Sequence, residues 1–185
     1  MLIVFAVDNA EELFARRGRV ATPKPGRCPG CGHDGLSFAG WWTRHTRRGP
    51  VDIHRVACAR CGATHSLLPD VLLAGRTDDV ATIGAGVELA ARGHGHRPIA
   101  RMLQVPATTV RDWLRAARRT APQLTQLLNG VKAACGSAVQ LPRGTPLRVL
   151  VGAVWLAAGA WSLLAGEPVD RWRFANRHAA GRLVG

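Results

Sequence analysis

Acidic residues are scarce in this chain of 185 residues. Asp and Glu together number 12 against 25 Lys plus Arg, which gives a formal net charge of +13. After residue 120 only Glu167 and Asp170 remain. A transposase or nuclease needs a carboxylate triad that holds Mg²⁺ within an alternating strand–helix block, and none of the acids lies in such a block. We therefore expect no catalytic activity in this chain.

Lysine is scarce as well, since 23 of the 25 basic residues are Arg. A basic surplus of this size favours a polyanionic partner, and we expect double-stranded DNA rather than a membrane surface. Arg suits bidentate contacts to phosphate and guanine, although a GC-rich coding bias gives the same skew. Residues 27–65 and 94–120 carry net charges of +4 and +5, and the segment 66–93 between them carries −2.

No export signal is visible at the N-terminus. The apolar run 1–7 lacks a positively charged region before it and is followed at once by Asp8, so it predicts a small strand instead. Hydrophobic residues make up 47% of the chain, enough for a core. We expect residues 1–26 to form a strand and an arm, and the protein to be cytoplasmic and nucleoid-associated.

Four of the five cysteines form two Cys-x-x-Cys pairs, and each pair is followed directly by Gly. Without an export signal this pattern favours metal binding over disulfides. Four thiolates are the closed tetrahedral ligand set of a structural zinc site. A redox dithiol is disfavoured, because there are two matched pairs and no βαβ pattern. The sequence therefore predicts one structural Zn²⁺ bound by Cys28, Cys31, Cys58 and Cys61.

Three other residues bear on this site. His33 and His65 lie near the cysteine pairs and could substitute as ligands, but we expect hydrogen-bonding or surface roles for both. Cys135 stands alone in an apolar helical stretch and is expected to be a small buried residue.

The 26 residues between the two cysteine pairs predict a β-hairpin. Its strands would be 36–43 and 51–57, with the turn at 47–50, which is the layout of a zinc ribbon. This module, with the apolar connector after it, would span 27–76. Trp41 and Trp42 would point to opposite faces, and one of them either packs on the apolar segment 67–73 or stacks on a base. Basic residues at the hairpin tip either contact phosphate or form a solvated loop: Arg44, Arg47 and Arg48.

Residues 77–120 show helical periodicity in three segments. We expect helices over 78–93, from Pro98 to about 103, and over 107–119, with a turn at 104–106. In the third segment Val110, Trp113, Leu114 and Ala117 form a core stripe. Basic residues on the opposite face predict a trihelical helix-turn-helix that binds DNA. The candidate DNA contacts are Arg97, Thr108, Thr109, Arg111, Arg115, Arg118 and Arg119.

The stretch 98–114 resembles the helix-turn-helix of bacterial regulators, sigma-factor C-terminal regions and transposases. Two residues depart from that pattern: Gln104 stands where Gly is usual, and Pro106 replaces a Ser or Thr N-cap. With the cysteine pairs and the segments 64–69 and 109–114, residues 27–120 resemble a bacterial family of zinc-ribbon plus helix-turn-helix proteins, of the domain-of-unknown-function type. Similar modules form the N-terminal DNA-binding part of insertion-sequence transposases.

This resemblance implies recognition of element ends or of an operator. We therefore expect a zinc-containing, sequence-specific DNA-binding protein, either a transposase-associated accessory factor or a transcriptional regulator. The alternatives are a membrane-tethered DNA-binding regulator and a non-catalytic subunit or fragment of a transposase.

The C-terminal region 121–185 predicts a helical hairpin of 121–139 and 149–166. The second segment has 18 residues without a charge, but eight are Ala or Gly and two Trp lie inside it. We expect a buried helix that packs on 121–139 or on a second subunit, and not a membrane span. A homodimer or a protein partner such as a transposase would bind here. In the tail, Trp172 and Phe174 with neighbouring Arg form either a second nucleic-acid contact or a solvated basic face anchored by aromatics. The expected fold is mainly α with a small β zinc ribbon, followed by the helix-turn-helix and this hairpin.

Overall fold

The computed structural model describes residues 2–184 as a mixed α/β protein. The strands are β1 Leu2–Phe5, β2 Leu36–Thr46, β3 Gly49–Cys58 and β4 Thr64–Pro69. The helices are α1 Ala10–Ala15, α2 Val80–Ala91, α3 His96–Leu103, α4 Ala107–Ala134, α5 Pro146–Ala165 and α6 Arg171–His178. The predicted combination of helices with a small sheet that carries four clustered cysteines is confirmed at this level.

The sheet is larger than the predicted two-stranded ribbon. Its strand order is β1–β4–β3–β2, with β1 parallel to β4 and the other pairs antiparallel. The hairpin β2–β3 runs from the pair Leu36–Cys58 to the pair Thr46–Gly49, with a bulge between Phe38 and Trp41. Part of the predicted apolar connector is β4, and the N-terminal apolar run is β1. The predicted N-terminal strand joins the sheet through long-range pairing with β4, such as Leu2 with Ser66, which local patterns do not report, and β4 also pairs with the nearby β3.

Buried residues form two clusters that meet between Leu72 and Leu73. The first lies around the sheet and includes Leu13 of α1, so residues 10–15 are a packed helix and not part of an arm. Asn9 begins α1, because its side chain accepts hydrogen bonds from the backbone amides of Glu11 and Glu12. The second cluster contains the buried faces of α2 to α6.

Helix α4 joins what the sequence pattern divided into two helices. It continues for 28 residues through Pro122, although a proline inside a helix removes one backbone hydrogen bond and costs about 3 kcal/mol. Pro122 is exposed, so its ring meets solvent and not the core. Ala117, Ala121 and Leu124 stay on one buried stripe across it. Burial of that continuous stripe accounts for the unbroken helix.

Helix α5 packs on α4, as the sequence suggested for the segment 149–166. Thr145 caps its start through the amide of Arg148, and Pro146 occupies the first turn. By length and composition α5 could cross a membrane: its apolar window has a mean hydropathy of 1.7, and 39% of that window is buried. An apolar core helix passes the same test, and Leu150, Val154 and Ala157 are buried in the second cluster.

Helix α6 connects the sheet to the helices. The buried Asp70 carboxylate accepts from Arg173 at 2.9 Å and from Arg177 at 2.8 Å. The Asn176 amide donates to the carbonyls of Asp70 and Leu72. These arginines stabilise the fold, so the alternative in which they contact nucleic acid does not fit their positions.

The aromatic residues of α6 are anchors. Trp172 and Phe174 are buried, and the Trp172 indole lies directly on Gly84 of α2. The Glu88 carboxylate accepts from the indole N–H groups of Trp172, at 2.9 Å, and of Trp155, at 3.2 Å. One side chain of α2 therefore holds α5 and α6 together.

Neither tryptophan of the hairpin is buried, contrary to the expectation that one packs on the apolar segment 67–73. Trp41 is 64% exposed and Trp42 is 45% exposed. Both lie on β2, which is an edge strand. The segment 67–73 instead joins the two buried clusters, where other elements cover it. Trp42 only borders a shallow cavity that it shares with Leu68.

Candidate functional site

Two tight turns with the same geometry carry the four cysteines. Gly32 and Gly62 follow the second cysteine of each pair, with φ of 72° and 69°, a conformation that glycine adopts without steric cost. The amide of Gly32 donates to the Cys28 carbonyl at 2.8 Å, and the amide of Gly62 donates to the Cys58 carbonyl at 3.0 Å. Each turn thus folds its two thiols toward the same point.

The four sulfur atoms of Cys28, Cys31, Cys58 and Cys61 lie within 4.8 Å of one another. The distance between the sulfurs of Cys28 and Cys61 is 3.8 Å, and that between Cys31 and Cys58 is 3.6 Å. A tetrahedral ion with metal–sulfur bonds of about 2.3 Å separates its ligands by about 3.8 Å. The cluster therefore has the dimensions to hold one metal ion.

The electrostatics of the cluster also fit a cation. The backbone amide of Cys61 lowers the pKa of the Cys58 thiol to about 6. At Cys31 the backbone of His33 favours the thiolate, but burial and the three neighbouring thiols outweigh it and raise the pKa of Cys31 to about 12. One sulfur ionises readily and then opposes ionisation of the next. A cation among the sulfurs removes that repulsion and lets all four act as thiolates.

His65 is a buried neighbour of the cysteine cluster. It is 1% exposed, and its Nε2 lies 3.3 Å from the Cys28 sulfur. Burial lowers the pKa of His65 and so favours the neutral ring, and the tautomer that carries its proton on Nε2 can donate a hydrogen bond to the Cys28 sulfur. This is the hydrogen-bonding role expected from the sequence. His33 is half-buried, with its Nδ1 3.5 Å from the Asp34 carboxylate. Cys135 is half-buried and lies outside the cluster.

The hairpin arginines hold the sheet to its surroundings. Arg44 is buried and donates to the Leu73 carbonyl at 2.5 Å, and burial lowers its pKa. The prediction that Arg44 contacts DNA is therefore wrong, because its guanidinium points into the protein. Arg47 pairs with Asp78. Arg48 pairs with Glu11 and lies 4.0 Å over the ring of Phe14.

Helices α3 and α4 meet through a three-residue turn. Gln104 ends α3 in the left-handed conformation, with φ of 53°. Glycine usually occupies such a position, but here Gln104 has the same backbone conformation. Pro106 precedes α4 and provides no side-chain cap. Helix α3 begins at His96, two residues before Pro98. Val105, between the two helices, is buried and fixes the turn to the core.

The first half of α4 divides into a buried stripe and a basic stripe. The predicted core residues Val110, Trp113, Leu114 and Ala117 are at most 2% exposed. The basic stripe lies opposite, and at 100° per residue its members span an arc of about 100°. All of its members are exposed: Thr108, Arg111, Arg115, Arg118 and Arg119.

Three further residues border this stripe. Thr109 is half-buried, and Arg97 of α3 is exposed. Arg101, one turn after Arg97, is also exposed, and it is not among the predicted contacts, although its helical spacing from Arg97 can be read from the sequence. Asp112 is the acidic residue among these arginines, 3.4 Å from Arg111 and 4.0 Å from Arg115.

Comparison with known proteins gives one match. Residues 28–100 match the model of a domain of unknown function, DUF6431. No curated protein and no solved structure matches the chain.

The matched segment of the DUF6431 model includes the four cysteines, strands β2 to β4, helix α2 and the first half of α3. Together with the cysteine cluster, the match fits a zinc-ribbon-like motif. Helix α4 and its basic stripe lie outside the match. The similarity to transposases stays a prediction.

Proposed function

We propose that the protein binds double-stranded DNA in a sequence-specific manner, with α2 to α4 as a helix-turn-helix and α4 as the helix that enters the major groove. The basic stripe on α4 carries this proposal. It lies opposite the stripe that fixes α4 to the core, which is the division a groove-reading helix needs. Arg111 and Arg115 are one turn apart on this stripe, and an Arg side chain can make a bidentate contact to guanine in the major groove.

The ion pairs of the chain support this assignment. Most arginines near the sheet and on α6 are engaged with carboxylates or carbonyls. Within residues 2–184, by contrast, four arginines of α3 and α4 form no salt bridge: Arg97, Arg101, Arg118 and Arg119. Exposed guanidinium groups without counter-charges are available to phosphates, which supply most of the affinity of DNA-binding proteins.

We propose zinc as the ion of the cysteine cluster. Four thiolates with tetrahedral spacing suit Zn²⁺, and a closed set of four protein ligands is typical of a structural site. The ion would hold the two turns together at the end of the hairpin, and its role would be structural. His65 would then orient the Cys28 thiolate.

Two biological roles fit this proposal: an accessory factor in transposition and a transcriptional regulator. Both need DNA recognition without catalysis by this chain. A membrane-tethered regulator is the second candidate and depends on α5, but the buried face of α5 in the helical core favours the first two. Fractionation of cell extracts separates them, since a tethered protein stays with the membranes.

We also propose that two copies pair through the apolar surface around the end of α5. A cavity of about 770 Å³ lies between residues 135–139 and α5, and Leu163 beside it is 88% exposed. With a net charge of +13, two chains repel each other except where their surfaces are uncharged. Pairing would double the small footprint of one helix on DNA.

The direct test measures binding of Arg111→Ala to a selected duplex and to a random duplex. Loss of a bidentate contact to guanine costs about 1–3 kcal/mol, so binding to the selected duplex should fall about 5- to 150-fold, with a smaller loss on the random one. Arg143→Ala is the control, because Arg143 is an exposed arginine in the loop between α4 and α5. If Arg111→Ala binds both duplexes like Arg143→Ala, α4 does not read DNA.

Removal of the negative charge of Asp112, in Asp112→Asn, should change DNA affinity in the opposite direction from Arg111→Ala. The Asp112 carboxylate engages Arg111 and Arg115 and repels phosphate, so its removal should tighten binding to both duplexes. An exposed ion pair is worth at most about 1 kcal/mol, which limits the gain to about fivefold. Weaker binding of Asp112→Asn would contradict the orientation proposed for α4.

A further inference from the structure

An open cleft lies between α4 and the segment after α6. Its volume is about 640 Å³, and its walls come from residues 119–127 of α4 and 178–182 of the tail. Arg119 and Gln123 stand on one side, and His178 and Arg182 stand on the other. No acidic side chain of residues 2–184 lines this cleft.

The tail holds Arg182 at a fixed place. Ala180 and Gly181 turn the chain after α6 with φ of 49° and 78°. The Thr120 hydroxyl of α4 donates to the Leu183 carbonyl at 3.1 Å. The amide of Ala74 donates to the Gly181 carbonyl at 2.9 Å. Hydrogen bonds thus anchor the backbone on both sides of Arg182, while its own side chain stays exposed.

Both guanidinium groups of the cleft are free to bind an anion. Arg119 and Arg182 are exposed, and within residues 2–184 neither has a salt-bridge partner. Two cations that line the same cleft repel each other, so an anion between them stabilises the pair. Arg groups bind phosphate oxygens through parallel N–H donors, which makes phosphate the fitting anion.

The position of the cleft along α4 indicates which phosphate it meets. Arg119 lies eight residues after Arg111, about 12 Å further along the axis at 1.5 Å per residue. The major groove is about 12 Å wide. In a complex with Arg111 at the bases and α4 crossing the groove, Arg119 would lie toward the sugar–phosphate backbone at the edge of the groove.

We propose that Arg119 and Arg182 together clamp one backbone phosphate of the DNA, next to the base pairs that α4 reads. This inference rests on the proposed function and adds the tail to the interface. It makes the segment after α6 a DNA contact that is distant from Arg119 in sequence but lines the same cleft in the structure.

The test compares Arg182→Ala with Arg143→Ala on duplexes between 50 and 200 mM salt. Loss of one phosphate contact makes the plot of log K against log salt less steep by about 0.9. The fall in affinity between the two salt concentrations should therefore be about 3.5-fold smaller for Arg182→Ala than for Arg143→Ala. Selected and random duplexes should respond alike. Arg119→Ala and the double variant should resemble Arg182→Ala, because clamping one phosphate makes the two losses non-additive.

Several outcomes overturn the proposal. If wild type binds no duplex, the proposed function and the clamp fail together. If Arg111→Ala weakens binding but Arg182→Ala has the salt slope of Arg143→Ala, the clamp alone is refuted. If Arg182→Ala weakens binding of inorganic phosphate but not of a duplex, the cleft is an anion site away from DNA. Thermal unfolding of Arg182→Ala should match wild type, since within residues 2–184 its guanidinium makes no salt bridge.

Discussion

A methyl group added at Gly84 tests how α6 is held on the helical core. A Cβ atom at Gly84 would lie 2.4 Å from Cγ of Trp172 and 2.5 Å from its Cδ1 and Cδ2. Ordinary carbon contacts are about 3.5–4.0 Å, so the indole must move by about 1 Å or more. Trp172 is buried, and its N–H bonds to Glu88 at 2.9 Å. The ring therefore cannot move without loss of packing.

We expect Gly84→Ala to lower the free energy of unfolding by about 1–3 kcal/mol, the usual cost of overpacking a core. Alanine in a helix interior raises the free energy of unfolding by about 0.5–1 kcal/mol relative to glycine, and the expected range already includes this gain. For a protein of this size the midpoint of thermal unfolding should fall by about 2–12 °C.

Gly130→Ala is the matched control. Gly130 also lies inside a helix, α4, but a Cβ atom there meets nothing within 4 Å. This variant should gain about 0.5–1 kcal/mol, so the two substitutions should differ by about 1.5–4 kcal/mol in urea unfolding followed by circular dichroism. If Gly84→Ala is as stable as Gly130→Ala, the reasoning about the Trp172 contact is refuted.

Two further predictions concern the metal and the dimer. Purified protein should contain one zinc per chain, and Cys58→Ser should lose it while Cys135→Ser keeps it; elemental analysis that finds equal zinc in both variants would contradict the assigned ligands. Light scattering at micromolar concentration should give a dimer mass for wild type and for the control Gln126→Glu. Leu163→Glu should give a monomer mass, because a carboxylate buried without a partner opposes association. A monomer mass for wild type would rule out the pairing.

Local signals in the sequence were enough for the cysteine cluster and for helices α2 and α3. Two cysteine pairs with glycines predict the turns, because the ligand types and the positive φ are local requirements. The core stripe of Val110, Trp113 and Leu114 follows from helical periodicity alone. These features need no information about distant parts of the chain.

Features that depend on distant partners were not predictable in the same way. Arg44 looks like its neighbours at the hairpin tip, and only the packing of residue 73 beside it shows that it is buried. Pro122 suggests a break in α4, and only the buried stripe on both sides explains its continuation. The proximity of Arg182 to Arg119 depends on the turn after α6, whose conformation at Ala180 has no glycine signal.

The ion pairs of Asp70 have a consequence for synthesis of the chain. Its carboxylate is fully buried, and its partner Arg177 follows 107 residues later. At about 5–20 residues per second the ribosome needs roughly 5–20 s to make that stretch. Until then, burial of Asp70 would leave a charge without a counter-ion, which is strongly unfavourable. The nascent chain therefore reaches its final packing around Asp70 only after α6 has been made.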